Sequence, residues 1–261
     1  MPTFQGKTFA SYFKNILGIN QSSNTGVDAT TRTIHDGAGN STSISLSDDV
    51  LSVQPITDNT TGTFVVQTNG GDSVLAVDTA NKKVLANGIN ATTQYAYFGV
   101  GASTLSAVAG THYPIPFNNI GIATTITMGT STNPSTSYDI SANNDAHLMS
   151  MMLWYISDDI TVDQVYWMAG GDAASGDTIN IHLMSYDFDA GTGAGKGDLS
   201  NGAVVAGGAD IASLGYENIV QQSIAPSSAD VDAGKVCMAT FESNGTNSDY
   251  SVNIKVKYHL R

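Results

Sequence analysis

The amino-acid sequence predicts a mainly β protein with a short N-terminal helix, a thin β shaft and a C-terminal β-sandwich or jelly roll. Three observations support this fold class: short segments of alternating apolar residues, Gly- and Asn-rich turns between them, and a charged content of only 13%. Nearly all of the 23 acidic residues are Asp, which favours turns and caps over helix interiors. A hydrophobic content of 41% over 261 residues suffices for one packed domain with extensions.

Residues 1–39 are predicted to form an attachment helix followed by a polar linker. Over residues 8–17, apolar side chains recur at spacings of three and four, which is typical of one stripe on a helix. This attachment segment consists of Phe9, Tyr12, Phe13, Ile16 and Leu17 with two basic neighbours, Lys7 and Lys14. Gly18 is the expected helix stop. Because so short a helix is marginal alone, it packs either on its own body and sister chains or on a larger assembly.

Residues 40–91 are predicted to form a β shaft shared between several identical chains. Short alternating segments follow one another here, separated by turns such as residues 69–72. Each segment places two or three apolar side chains on one face, which is too few to close a core within one chain. The predicted core positions of the shared shaft are Ile44, Leu46, Leu51, Val53, Phe64, Val66, Leu75 and Val77. The alternative is a meander that packs on the C-terminal domain.

Residues 92–261 are predicted to form the β-sandwich or jelly roll. Aromatic residues become frequent here and the apolar segments lengthen, without a convincing helix pattern. Strands are expected over residues 148–156, 164–168, 178–186, 219–224, 235–241 and 250–259. The last of them alternates clearly, with Val252, Ile254 and Val256 on one face and Asn253, Lys255 and Lys257 on the other. This strand therefore has an apolar face and a polar face.

The net charge of -13 argues against nucleic acids and anionic membranes as partners. No Lys or Arg occurs between residues 84 and 195, where nine Asp residues fall. Such an acidic body repels phosphate backbones and anionic lipids. Membrane insertion is not expected either, since no stretch approaches the ~18 apolar residues of a span. The N-terminus lacks a signal-peptide pattern, so the chain is expected to start in the cytoplasm. Cys237, the single cysteine, excludes intrachain disulfides and is expected to be buried.

Two groups of residues in the C-terminal domain are candidates for facing a ligand. The potential aromatic platforms for a carbohydrate are Trp154, Tyr155, Tyr166 and Trp167, with the two tryptophans as the leading pair, although their apolar strands favour core packing. Asp187 and Asp189 supply alternate carboxylates before the glycine-rich stretch 190–197, which is expected to be an exposed loop. This segment lacks the third ligand and the closing Glu of a calcium loop. The sequence therefore predicts no metal site.

Residue patterns that carry catalysis or bind cofactors are not recognisable in the chain. The five histidines show no metal-ligand spacing, and His182, within an apolar strand, is expected to have a hydrogen-bonded structural role. No motif of a hydrolase, a phosphate-binding loop or a zinc protease occurs. We therefore expect neither an enzyme nor a cofactor.

Several segments resemble a family of marine bacteriophage virion proteins. The N-terminal resemblance is carried by KTFASYFKNIL at residues 7–17, NQSSNTGVD at 20–28, GAGNST at 37–42 and SLSDD at 45–49. GDSVLAVDT at residues 71–79, followed by KKV at 82–84, looks like a shaft unit of trimeric phage fibres. The segments similar to the family's C-terminal domain include HLMSYD at 182–187, DAGK at 232–235 and KYHL at 257–260.

The resemblance implies a non-enzymatic virion structural protein, assembled in the host cytoplasm. It would be a homotrimeric fibre or capsid decoration protein, held by its N-terminus on other virion proteins of the capsid or tail, with the β-domain projecting outward. The alternative is a tail-fibre type protein whose distal domain binds a host receptor such as a surface glycan. A polysaccharide depolymerase is the least favoured function, because no acidic pair is identifiable in the sequence.

Overall fold

The fold is mainly β, which confirms the predicted fold class. The structure, a computed structural model, describes residues 16–19, 26–106, 108–118, 126–143, 145–171, 177–191, 193, 196–208, 210–214, 218–245 and 249–261, with the backbone alone at 101–106, 212–214 and 249. The chain divides into two compact units, residues 1–91 and residues 92–261. Among the described residues, no helix is long and apolar enough to cross a membrane.

The first unit holds two antiparallel meanders among its described residues. The first meander pairs its strands in chain order: β1 (Gly18–Ile19), β2 (Arg32–His35), β3 (Ser41–Leu46) and β4 (Leu51–Val53). The second meander does the same with β5 (Phe64–Gln67), β6 (Ser73–Asp78), β7 (Lys83–Ala86) and β8 (Ile89–Asn90). Neighbouring strands pair in sequence order because short connections bring consecutive strands side by side.

Aspartate side chains close turns in both meanders. Asp36 accepts hydrogen bonds from the backbone N–H groups of Ala38 (2.9 Å) and Asn40 (2.8 Å). Asp78 accepts one from the backbone N–H of Asn81 (2.9 Å). The side-chain amides of Asn40 and Asn81, together with these N–H groups, hold the pKa of each carboxyl below its usual range. The abundance of Asp thus reflects turn chemistry, as the sequence indicates.

The predicted attachment helix lies largely outside the described residues. Phe9, Tyr12 and Phe13 of its apolar stripe are not described, and neither are the basic residues Lys7 and Lys14. The described residues Ile16 and Leu17 are exposed and are not helical.

Two features of the N-terminal region differ from the expectation. Gly18, the expected helix stop, begins β1 and pairs with His35. The polar linker predicted up to residue 39 contains a strand, Arg32–His35, which pairs with β3. A four-residue strand is too short to show a hydrophobic period, so its sequence resembles that of a linker.

The second unit is a β-sandwich of two antiparallel sheets. The six-stranded sheet contains β10 (Tyr113–Ile115), β11 (Trp154–Tyr155), β13 (Asp177–Phe188), β14 (Leu199–Gly207), β15 (Ile211–Leu214) and β18 (Lys235–Ser243). The five-stranded sheet contains β9 (Thr93–Ser106), β12 (Ile160–Gly171), β16 (Asn218–Ile224), β17 (Asp230–Val231) and β19 (Asp249–Leu260). Helices α1 (Ile140–Asn143) and α2 (Ala146–Met149) lie between β10 and β11 in the chain.

The main hydrophobic core lies between the two sheets. It combines alternate residues of both, including Phe98, Val165 and Trp167 from the five-stranded sheet with Leu183 and Phe241 from the six-stranded sheet. Because only one face of β12 and β19 enters this core, buried and less buried residues alternate along both strands. The alternation predicted for residues 250–259 is therefore confirmed for Val252, Ile254 and Val256.

A second hydrophobic cluster covers the other face of the six-stranded sheet. Met184, Tyr186, Val236 and Met238 of that sheet pack there with residues from segment 126–153. With both faces covered, β13 is buried without interruption over residues 179–186 and β18 over residues 236–241, and Cys237 is completely buried as expected. The strand predicted over residues 148–156 is wrong: α2 ends at Met149 and only Trp154–Tyr155 is extended. Met149 and Met152 of this segment cover the six-stranded sheet, whereas Trp154 and Tyr155 add a two-residue strand to it.

Candidate functional site

The outward face of the five-stranded sheet carries three tyrosines around a lysine. The strand register places Lys255 of β19 opposite both Tyr97 of β9 and Tyr166 of β12. In the next row, Lys257 lies opposite Tyr95. Each of these residues alternates with core residues on its strand and so points away from the sandwich. We call this surface the tyrosine–lysine face, and it consists of Tyr95, Tyr97, Tyr166, Met168, Gln221, Asn253, Lys255 and Lys257.

The ammonium group of Lys255 lies above two tyrosine rings. Its Nζ atom is 5.3 Å from the ring centroid of Tyr95 and 5.2 Å from that of Tyr166. Cation–π contacts at such distances stabilise an exposed lysine by about 0.5–1 kcal/mol each. Tyr95 and Tyr97 remain 47% and 45% exposed. The lysine is therefore held over the sheet while the rings stay accessible to a ligand.

A cavity of about 300 Å³ opens on the tyrosine–lysine face. Two core residues, Trp167 and Ile254, also contribute to its lining. The remaining lining residues are Tyr97, Tyr166, Met168, Gln221, Asn253 and Lys255. This volume is at the small end of the range for ligand sites in proteins. The aromatic rings offer flat apolar surface, and the amides and the lysine offer hydrogen-bonding groups.

The basic residues of the second unit fall into two groups. Lys196 pairs with Asp189 at 2.7 Å, Lys235 pairs with Asp187, and Arg261 pairs with Asp232 at 2.6 Å. By contrast, Lys255 and Lys257 form no ion pair with any described carboxylate. Residues 92–261 contain sixteen Asp and Glu residues and five Lys and Arg residues. The tyrosine–lysine face is therefore the place where this acidic domain presents unneutralised positive charge.

The two tryptophans considered as carbohydrate platforms are buried in the core. Trp167 is 2% exposed and Trp154 is 8% exposed. The ring of Trp154 stacks on Phe117, with centroids 6.1 Å apart, and packs against Tyr258. Both tryptophans thus follow the core-packing alternative, since their strand positions point into the sandwich. The exposed aromatic residues of the five-stranded sheet are tyrosines on the opposite face.

The two aspartates considered as ligand-facing residues are engaged with lysines. Asp187 accepts hydrogen bonds from Lys235 and from the Asn201 side chain, at 2.8 Å for the latter. These contacts, with Lys235 first, hold the pKa of Asp187 below its usual range. Asp189 pairs with Lys196. The described residues contain no group of three or more His, Cys, Asp or Glu side chains that could hold a metal ion.

Two histidines of the second unit form a buried pair away from the tyrosine–lysine face. The rings of His112 and His182 meet edge to face with centroids 5.2 Å apart. His112 donates a hydrogen bond from Nε2 to the carbonyl of Ser131 at 2.7 Å. Desolvation lowers the pKa of both histidines, that of His182 to about 4. His182 is buried in β13, but its Nδ1 has no hydrogen-bond partner among the described residues, so its hydrogen-bonded structural role stays a prediction.

The eight predicted shaft residues lie on one face of each meander. In the first, Ile44 pairs with Val53 and Leu46 with Leu51; in the second, Phe64 pairs with Val77 and Val66 with Leu75. Directly opposite residues share a face, so each meander carries a four-residue apolar patch. None of the eight is buried within the chain, and four of them are largely exposed: Ile44 (39%), Leu51 (67%), Phe64 (44%) and Val66 (43%).

Comparison with known proteins does not assign the chain to a family. No protein-family model and no curated protein matches the chain. Among solved structures, the chain is similar to an aminopeptidase from the marine sediment archaeon Thaumarchaeota archaeon, at 9% identity and a TM-score of 0.32. The match covers 71% of this chain and 40% of that chain. A likeness this small supports neither a shared fold nor a shared activity.

Proposed function

We propose that the chain is a non-enzymatic structural protein that assembles as a homotrimer through the meanders of its first unit. Residues 1–39 attach the trimer to a virion, as in a fibre or capsid decoration protein, and residues 92–261 project outward. The observation that carries the oligomer is the exposed apolar patch on each meander, formed by Ile44, Leu46, Leu51 and Val53 and by Phe64, Val66, Leu75 and Val77.

Energetics favour a partner for these patches. Among the described residues of the first unit, only Ala76 and Asp78 are buried, so neither meander has a core of its own. Burying a Val, Leu, Ile or Phe side chain stabilises a protein by about 1.5–3 kcal/mol. Sister chains supply this burial symmetrically, because each copy presents the same patches around a common axis.

The number three and the virion location rest on the resemblance to phage proteins. Residues 71–79 look like a shaft unit of trimeric phage fibres, and they contain the whole of β6 with its flanking residues. In the structure, β6 is the second strand of the second meander and contributes Leu75 and Val77 to its patch. One segment that carries the resemblance thus lies in a meander that has no core of its own.

Sedimentation equilibrium of the purified full chain tests the trimer. The expected mass is three times that of the 27.1 kDa chain. A stable monomer at micromolar concentration contradicts the proposal, because the patches would then remain in water. A dimer would contradict the number three, but it would still agree with meanders that are shared between chains.

Attachment to the particle is tested by removing residues 1–20 in the phage genome. The truncated protein is expected to stay soluble and trimeric in the lysate but to be missing from purified particles, as measured by immunoblot. Unchanged incorporation contradicts the attachment role. Immunogold labelling of intact particles with an antibody against residues 92–261 then shows whether the full-length protein lies on the capsid or the tail.

A second candidate function, recognition of a host surface glycan, is favoured by one observation. The tyrosine–lysine face combines exposed tyrosine rings, amide side chains and Lys255 at a cavity, with Lys257 in the next row. A polysaccharide depolymerase is the least supported function. Release of reducing ends from a polysaccharide panel by the purified protein would overturn the non-enzymatic assignment.

A further inference from the structure

We propose that the tyrosine–lysine face binds an oligosaccharide with one carboxylated sugar among neutral ones, its carboxylate at Lys255 and Lys257. This inference rests on the second candidate function, recognition by residues 92–261, and it is independent of the trimer proposal. It assigns both a place and a chemical class to the ligand.

The negative charge of the ligand follows from the unpaired lysines. Lys196, Lys235 and Arg261 each neutralise a neighbouring aspartate, whereas Lys255 and Lys257 lie two residues apart on one strand without a carboxylate partner among the described residues. A carboxylate that approaches this pair forms charge-assisted hydrogen bonds, which are stronger than neutral ones. The cation–π contacts already hold Lys255 over the sheet, so less rotamer entropy is lost on binding.

The saccharide character follows from the surface next to the lysines. Tyr95 and Tyr97 lie two residues apart on β9, or about 7 Å, and both rings are exposed. Tyrosine offers a rigid apolar ring and a hydroxyl at a low entropy cost, which suits the apolar faces and hydroxyl groups of sugars. Gln221 and Asn253 line the cavity together with Tyr97, and both amides can donate and accept hydrogen bonds. The cavity holds a short saccharide rather than a whole chain.

The restriction of the ligand to one carboxylate follows from the negative charge of the rest of the domain. Sixteen acidic residues against five basic ones repel any ligand with a dense row of negative charges. Nucleic acids and uniformly charged polyuronates are therefore disfavoured, although aromatic rings with lysines can also bind single strands. An isolated carboxylate among neutral sugars gains the lysine contact with little of this repulsion.

A second copy of the chain is the other occupant to consider, and the charge pattern disfavours it. Covering the face with protein would take Lys255 and Lys257 out of water, and burial of an unpaired charge is strongly destabilising. Two or three copies meeting at this face would also bring like charges together. Contacts between copies through the apolar patches of the meanders bury no charge, because Ile44, Leu51 and Phe64 are apolar.

Titration calorimetry on the full chain tests the inference with three probes: xylotetraose bearing one glucuronic acid, its methyl ester, and unsubstituted xylotetraose. The acid is expected to bind about tenfold more tightly than the ester. Lys255→Met, which keeps the length of the side chain, is expected to remove this difference by weakening the acid alone. Tyr97→Ala is expected to weaken all three probes by about threefold to tenfold.

The matched control is Tyr155→Ala, which removes an exposed tyrosine on the six-stranded sheet and is expected to leave binding unchanged. Absence of binding tighter than about 1 mM for every probe overturns the inference. Equal binding of acid and ester overturns the charge assignment, while glycan recognition itself stands. A change in sedimentation mass with Lys255→Met or Tyr97→Ala identifies the face as a contact between copies and overturns the inference. The trimer of the unaltered chain is measured separately, so the two proposals fail independently.

Discussion

His182 is expected to make the stability of the second unit depend on pH. Its side chain is 2% exposed and contacts the ring of His112. Burial and the neighbouring His112 lower the pKa of His182 from 6.5 to about 4, against a smaller opposite effect of Asp210. The folded state therefore keeps this histidine neutral under conditions in which the unfolded chain protonates it. The stability that the second unit gains from keeping His182 neutral is fully present above pH 6.5 and is lost as the pH falls toward about 4.

The size of the effect follows from the shift. Each pKa unit corresponds to about 1.4 kcal/mol, so the shift of His182 corresponds to about 3 kcal/mol. Because His182 in the folded state is itself about half protonated near pH 4, the expected loss between about pH 7 and about pH 4 is about 2–3 kcal/mol. This loss is a sizeable part of the ~5–15 kcal/mol by which domains are stable. Acidic conditions should therefore weaken the second unit before its aspartates are protonated.

Urea unfolding followed by tryptophan emission measures this effect, because Trp154 and Trp167 both lie in the second unit. His182→Gln cannot be protonated and is expected to show a pH slope smaller by about 2–3 kcal/mol across that range. The control is His147→Gln, an exposed histidine on α2, which is expected to keep the slope of the unaltered protein. An identical slope for His182→Gln would show that the buried pair does not control the acid sensitivity.

Two further substitutions test the packing of each unit. Leu51→Ser removes a side chain that is 67% exposed within one chain, so it is expected to weaken the trimer by about 1–2 kcal/mol per chain, measured as dissociation in sedimentation equilibrium. Val108→Ser, at an exposed valine of the second unit, should leave the mass distribution unchanged. Gly202→Ala places a methyl group 2.5 Å from the ring of buried Tyr186 and 2.8 Å from the Thr136 backbone, and is expected to destabilise the second unit by about 1–3 kcal/mol in urea unfolding. Gly170→Ala meets only ordinary contacts at 3.5 Å or more and is its control.

The parts of the fold that the sequence predicts well are those with a clear period. β19 alternates because one of its faces is solvated, and this pattern is visible in Val252, Ile254 and Val256. Segment 148–156 misled the prediction because an apolar run without a period fits a buried strand as well as a covering segment. Met149 and Met152 are completely buried, but they pack over the six-stranded sheet from outside it.

The tyrosine–lysine face could be predicted only in part. Tyr95 and Tyr97 alternate with buried Ala96 and Phe98, so their common face is readable in the sequence. That Lys255 lies opposite Tyr97 depends on the pairing of β9 with β19, strands about 150 residues apart in the chain. Long-range register is set by packing of the whole domain, so no local pattern specifies it. Tyr166 is among the aromatic platforms that the sequence offers, whereas its grouping with Tyr95 and Tyr97 depends on this long-range pairing.

The difference between the two units leads to a last prediction, made with separate fragments. Both hydrophobic clusters lie within residues 92–261, so this fragment is expected to unfold cooperatively as a monomer, at a urea midpoint close to that of the second unit in the full chain. Residues 1–91 bury only Ala76 and Asp78 among their described residues, and are expected to fold only at concentrations at which they associate. Circular dichroism and sedimentation over a concentration series distinguish the two cases. A trimer formed by residues 92–261 alone would move the assembly contact to the sandwich, and a concentration-independent fold of residues 1–91 would remove the need for a shared core.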